Sequence, residues 1–256
     1  MRKNIRKIVL DVFGFFSNPK PGVHILNGHY IGLEDFEASV FRELLMDLSK
    51  CVNLIRIEQA ISMIENLDPI DIDQCYVAFT FDDGFEECFT KIAPVLEEFK
   101  LNALFFIIPN FIDGDSKYIE NMCKETLNMP IVKKPLTWIQ VCNLSDRGFL
   151  IGSHTLNHLN LSKYSEEVLF NEIVLSKNII SEKINRPCIH FAYPYGRLLD
   201  INIPAISLAK EHYSYSFTQS NYKKYFSFGD SFINRRHFEG NWPLSHVKYF
   251  LSCQKT

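Results

Sequence analysis

The chain has 256 residues, 46% of them hydrophobic and 14% aromatic, which suffices for one packed core of the size common among single-domain α/β barrels. Its 27 basic and 30 acidic residues are intermixed and leave a formal charge of -3, which excludes an extended basic surface and with it nucleic acid as a partner. The 7 cysteines form no C-x-x-C pair, so neither a disulfide framework nor a thiolate zinc site is expected, and reduced thiols fit a cytoplasmic location.

The N-terminal stretch MRKNIRKIVLDVFGFFSNPK turns from basic to apolar, but Asp11 interrupts the apolar run and no small-residue cleavage site follows. Residues 1–22 are therefore read as a retained extension rather than a signal peptide. Lys3, Arg6 and Lys7 beside Ile8, Val9, Phe13 and Phe15 suit either packing on the domain or peripheral contact with a membrane, at whose inner face the protein would then sit. VHIL at 23–26 reads as a first strand. Phe36, Val40, Leu44 and Leu48 then mark an amphipathic helix, and Ile57, Ile61 and Ile64 a shorter one. The run YVAFTF, at 76–81, is continuous and β-branched, as in a strand buried on both faces. A helix follows to about Phe99, with Pro94 expected to kink or restart it. NALFFII is a strand, and Thr137 caps a helix that closes near Gly148. FLIGS is a strand, Ser165 caps a long helix carrying Leu169, Ile173, Ile180 and Ile184, and CIHFA is a strand. Residues 203–211 are predicted helical, YSYSF and FINRRHF are late strands, and a terminal helix runs through Val247 and Leu251. Residues 111–134 have no clear period and read as a loop. Strands alternating with helices predict a parallel sheet, closed or doubly wound.

Asp82 and Asp83, His154, the YPYG of Tyr193 to Gly196, and Arg235 all fall at or just past predicted strand ends. In a parallel barrel such ends gather on one face. Adjacent aspartates on a strand would point apart, but at a strand end followed by Gly84 they can converge. Two carboxylates held together require a proton or a cation between them. His154 and His158, four residues apart, present both imidazoles to one side if the chain turns helically there. With Asp83 they make two nitrogens and one oxygen, leaving a fourth position for water. Asp82 is then free to take a proton from that water. Arg235 or Arg236 could hold Asp82 ionised, and backbone N–H groups near Tyr195 could share developing negative charge. This is the logic of amide or ester hydrolysis. Trp138, Tyr193, Tyr195 and Trp242 are candidates for stacking on a ring of the substrate, and His29, at the first strand's end, for touching it.

TFDDG (80–84), HTLNH (154–158) and FAYPYG (191–196), in this order, resemble the first three signature motifs of the polysaccharide deacetylases, the NodB-homology proteins of carbohydrate esterase family 4. HILNGH resembles that group's opening strand, so the likeness runs from about His24 to Phe250 and makes residues 23–256 the catalytic domain. The resemblance implies a deformed (β/α) barrel and metal-dependent removal of an N-acetyl, less often O-acetyl, group from a sugar. It assigns Asp82 as catalytic base, Asp83, His154 and His158 as metal ligands, and the backbone amide of Tyr195 to the oxyanion. Where many members carry an arginine in the third motif, this chain has Ala192. By likeness to relatives with an arginine in a late strand, Arg235 is assigned as the partner of the base. Leu244-Ser245-His246 meets the family's late leucine-x-histidine pattern and makes His246 the proton donor.

The expected cofactor is one divalent ion, zinc first, with cobalt, nickel and iron admitted by the same ligands. The expected substrate is an N-acetylated amino sugar, nucleotide-linked, lipid-linked or in an oligosaccharide, as an intracellular precursor of a surface glycan. A sugar O-acetyl esterase, a deformylase, or a carbohydrate-binding barrel impaired by the missing arginine are the alternatives. A glycoside hydrolase needs carboxylates about 5 Å or more apart across the sugar, which adjacent residues on one cation serve poorly.

Overall fold

The computed structural model describes residues 10–66, 73–229 and 231–256. Its centre is the strand read as doubly buried: β3 (Cys75–Phe81), six of whose seven residues are buried. On one side it pairs in parallel with β1 (Gly22–Gly28). On the other, its first half takes the two-residue β2 (Asn53–Leu54) and its second half β4 (Ala103–Ile107). From β4 the parallel pairings continue through β5 (Leu150–Ser153), β6 (His190–Ala192) and β7 (Tyr215–Thr218) to β9 (Phe232–Asn234). The short β8 (Phe226–Ser227) lies antiparallel to β9. The chain then passes from β9 through Arg235 into β10 (Arg236–His237), which pairs back onto β1. One continuous stretch, 232–237, thus bridges β7 and β1 and closes a deformed (β/α) barrel, as expected.

Strand alternation divides the side chains between two layers. Val23 and Ile25 of β1, Ala78 of β3, Leu104 and Phe106 of β4, Ala192, Phe217 and Ile233 converge in the barrel, closed below by Ile57, Ala60, Ile61 and Ile64 of the helix Ile57–Glu65. Phe106 needs room there, and Gly152 on the neighbouring strand provides it. A Cβ at Gly152 would stand 2.6 Å from the Phe106 ring. The alternate residues Val77, Phe79, Phe81, Phe105 and Ile151 face outward into the larger core beneath the helices.

The helices follow the predicted pattern, with informative exceptions. Pro94 has no N–H to donate. The helix runs through Cys88–Ile92 with one wide turn, Ala93 N–H reaching Cys88 O, and restarts as Ala93–Glu98. Thr137 caps Trp138–Asp146 by accepting from Gln140 N–H. Ser165 occupies the cap position before Glu166–Phe170, but its hydroxyl makes no capping bond. The stretch read as a loop, 111–134, contains a helix, Ser116–Asn121 continuing through Met122–Thr126, capped by Asp115. It escaped because its first six residues bury no side chain and so leave no stripe.

Of the N-terminal extension, Lys3, Arg6, Lys7, Ile8 and Val9 lie outside the described residues. Residues 10–16 are helical, with Leu10 buried, while Val12, Phe13, Phe15 and Phe16 are exposed. No helix among the described residues is long and apolar enough to cross a membrane.

Candidate active site

The inward parity of the strands builds the site. Continuing 23, 25 and 78 along β1 and β3 brings Asn27, Thr80 and Asp82 to the top of the barrel interior, and continuing from Ile233 brings Arg235. All four are buried. Arg235 donates from Nη1 to Asp82 Oδ1 at 2.7 Å and from Nη2 to Oδ2 at 3.0 Å, a bidentate pair. Asn27 Nδ2 adds a third bond to Asp82 Oδ2 at 2.9 Å, while Asn27 Oδ1 accepts from Thr80 Oγ1 and Arg235 Nη1. The guanidinium lies over the rings of Phe106, at 4.9 Å, and Phe217. Arg236, with the opposite parity, points away and stacks on Phe250 at 3.5 Å. Of the two arginines, Arg235 is the one that meets Asp82.

Past Asp82 the chain leaves β3 through two consecutive left-handed residues, Asp83 at φ 73° and Gly84 at φ 80°. Gly84 takes this conformation freely, and a Cβ there would press on Ile107 at 3.0 Å. Asp83 takes it at a cost in strain. The reversal carries the Asp83 carboxylate to the same side as Asp82. Asp83 Oδ1 then stands 3.7 Å from both His154 Nε2 and His158 Nε2. The second motif does this without the helical turn expected of it. Thr155 and His158 both have positive φ, 66° and 58°, and the imidazoles meet across a loop with centroids 4.9 Å apart.

The ionisation pattern follows from these contacts. Burial is the largest single influence on Asp82 and would raise its pKa, but the opposing influences, led by the charge of Arg235 and including its hydrogen bonds, together hold the carboxyl well below its usual range. Asp83 goes the other way: burial, then the charge of Asp82, push it well above. Burial drives His154 down, opposed by Asp82, and drives His158 well down, aided by His154. Both rings are thus neutral bases. His154 Nδ1 lies 2.8 Å from Ala192 O, so it carries the proton and leaves the Nε2 lone pair facing Asp83.

The donor set passes a test for a cation. Asp83 Oδ1 is buried and has no hydrogen-bond partner, a costly state for an acceptor unless something positive meets it. The ligand atoms of Asp83, His154 and His158 all lie within 4.8 Å of one another. Zinc bonds of about 2.0–2.2 Å in tetrahedral array imply donor separations of roughly 3.4 Å, close to the 3.7 Å spacings from Asp83.

These groups open into a cleft of about 470 Å³, also lined by His29, Tyr30, Leu127, Asn128, Tyr195, Gln219 and His237. Tyr195 sits at φ 63° just past β6, its ring 5.0 Å from that of His158. His246 is not brought to the cleft. It lies on the helix Leu244–Leu251 with Nε2 2.8 Å from Asp11 Oδ1 and its ring against Trp242. The leucine-x-histidine pattern there is part of a packed helix. Of the four candidate stacking rings only Tyr195 reaches the cleft; Tyr193 is fully buried. His237 was missed by sequence reading, although its place two residues past Arg235 puts it on the same inward face. Its ring is 5.6 Å from that of His29. A larger cavity, about 690 Å³ beside β8 and β9, has no Asp, Glu or His among its described lining residues.

A closed parallel ring with a buried Asp-His-His cluster at its C-terminal strand ends places the chain in the class of α/β barrels built round a candidate metal centre. More narrowly, it belongs to the polysaccharide deacetylase family, whose profile matches residues 71–212, more than half of the chain. The peptidoglycan-N-acetylglucosamine deacetylase of Bacillus cereus is 28% identical over 125 residues, 48% of each chain. The poly-beta-1,6-N-acetyl-D-glucosamine N-deacetylase of Staphylococcus aureus is 27% identical over 149 residues, 56% of this chain and 48% of the relative. The chain thus spans about half the length of these curated relatives. Among solved structures, IcaB from Ammonifex degensii superposes with a TM-score of 0.72 at 19% identity, covering 92% of this chain and 99% of that one. At that identity the likeness is one of fold.

Proposed function

We propose that the protein is a metal-dependent hydrolase that removes an N-acetyl group from an amino sugar in a neutral glycan. The observation that carries this reading is an arginine-paired Asp82 set directly beside the Asp83, His154 and His158 cluster. Those three residues would hold a divalent cation, and their two nitrogens and one oxygen suit zinc, with cobalt, nickel and iron also admitted. Bound there, the cation supplies Lewis acidity, polarising an acyl oxygen and making water easier to deprotonate.

The chain's own groups supply the rest. Asp82, kept charged and oriented by Arg235 and Asn27, accepts the proton of the attacking water. The N–H of Tyr195, which lines the cleft just past β6, donates to the acyl oxygen as negative charge develops. His246 does not reach the cleft, and His237 on the cleft wall is the candidate to deliver a proton to the leaving amine in its place. The cleft has no lysine or arginine among its described lining residues, so nothing there would neutralise a nucleotide's diphosphate. This favours a neutral amino-sugar chain over a nucleotide-linked precursor, in keeping with the names of the relatives. The arginine paired with Asp82 favours an active enzyme over a catalytically impaired barrel.

The test is acetate release from β-1,6-linked N-acetylglucosamine oligomers, peptidoglycan fragments and a nucleotide-linked N-acetylglucosamine. Acetate from a neutral oligomer, absent with the nucleotide sugar, is expected. Asp82→Asn should bind zinc like the wild type and lose about 10²–10⁴-fold in kcat. Full activity in that variant would refute the role of Asp82.

A further inference from the structure

The loop that carries the two histidines is held in an uncommon shape, and what holds it lies outside the motif. Thr155 is β-branched with positive φ, and His158 is positive too, conformations that persist only where the surroundings impose them. Local bonds help: Thr155 N–H donates to Ser153 Oγ, and His158 N–H to Thr155 Oγ1 at 2.9 Å. The stronger restraint comes from Glu172, on the helical stretch Asn171–Leu175 and only 2% exposed. Its Oε2 accepts from the Asn157 N–H at 2.9 Å, its Oε1 from Asn157 Nδ2 at 2.7 Å, and its carbonyl from the Leu156 N–H at 3.0 Å. Ser176, one turn on, bonds Ser153 Oγ at 2.7 Å. Asn157 Oδ1 is held from the opposite side by Asn110 Nδ2 at 2.7 Å and Tyr118 OH at 3.1 Å.

We propose that Asn157, clamped by Glu172, is a positioning residue that presets His158 for the cation and thereby sets metal affinity without touching metal or substrate. A buried carboxylate that spends both oxygens on one amide residue fixes that residue's backbone and side chain together. Asn157 immediately precedes His158, so its backbone determines where the imidazole starts. The His158 ring has no restraint of its own at Nδ1, which is buried without a hydrogen-bond partner. His154, by contrast, is anchored through Nδ1 to Ala192 O. The backbone clamp supplies for the second histidine what a direct hydrogen bond supplies for the first. Residues that orient ligands in this way are typically worth about 10–100-fold in metal affinity.

This inference rests on the metal centre proposed above, and the experiment separates the two. Zinc affinity of the full chain is measured by competition with a chromophoric chelator for wild type, Asp83→Asn, Asn157→Ala and Glu172→Gln, with metal-free melting temperatures alongside. Glu172→Gln keeps the packing and one acceptor, so it carries the test if Asn157→Ala does not fold. The expected result is about a 10–100-fold weaker zinc Kd for Asn157→Ala and a smaller loss for Glu172→Gln, each larger than its melting shift accounts for. The cobalt-substituted variants should show altered d–d bands. Folded variants with wild-type Kd would overturn the positioning role while leaving the metal centre standing. A wild type that binds zinc no better than Asp83→Asn would overturn both.

Discussion

Asp82 and Asp83 are neighbours with opposite electrostatic fates. The first is buried against a guanidinium, which leads the influences that together offset desolvation; the second is buried against the first, which adds to desolvation. Pairs of titratable groups driven apart in this way mark divided chemical roles. The dependence on Arg235 is testable. Arg235→Lys keeps a charge but loses the two-point fork, so kcat should fall by about 10-fold or more with zinc affinity near wild type. Arg235→Ala leaves a buried carboxylate unpaired and should cost about 3–5 kcal/mol in urea unfolding. Wild-type kcat in the lysine variant would show that the bidentate geometry is dispensable. Much of this was legible in the sequence: the aspartate pair, the two histidines and Arg235 were all identified. The choice between Arg235 and Arg236 was also available from alternation, since Ile233 faces the barrel and every second residue follows it.

At the scale of elements, strands were legible because burial on both faces enforces continuous apolar runs such as YVAFTF. The helix Ser116–Asn121 was not, since it covers the surface with no fully buried side chain, Tyr118 and Ile119 packing only partly on the core. The histidine loop misled for a different reason: a four-residue spacing suggests a helix, whereas distant residues, Glu172 among them, impose left-handed turns that no local pattern encodes. His246 misled likewise, its motif being absorbed by helix packing and Asp11. Two strands also bury histidines that take no part in the site. Burial lowers His24 on β1 to about 3 and His190 on β6 to about 4. Each stays neutral when folded but protonates near 6.5 when unfolded. Stability is therefore fully present above that pH and is lost as pH falls toward the folded values. Between pH 7 and pH 5 the wild type should lose about 2 kcal/mol more than His24→Asn. Parallel urea-unfolding curves for the two proteins would refute the assignment.

At the scale of the molecule, closure is what makes the site. The stretch 232–237 joins β7 to β1, and the residue at the junction is Arg235. The same six residues close the ring, deliver the partner of Asp82 and place His237 opposite His29. The proposed ligands for one cation come from the ends of β3 and β5, and the proposed oxyanion donor from just past β6, so the proposed function depends on the barrel being shut. The measurement that bears most directly on this account is a crystal of the zinc-soaked full chain with anomalous diffraction recorded at the zinc edge. One strong peak is expected about 2.0–2.2 Å from an Asp83 oxygen, His154 Nε2 and His158 Nε2, with Asp82 still forked on Arg235. No peak there, or zinc bound elsewhere with those three side chains turned apart, would contradict it.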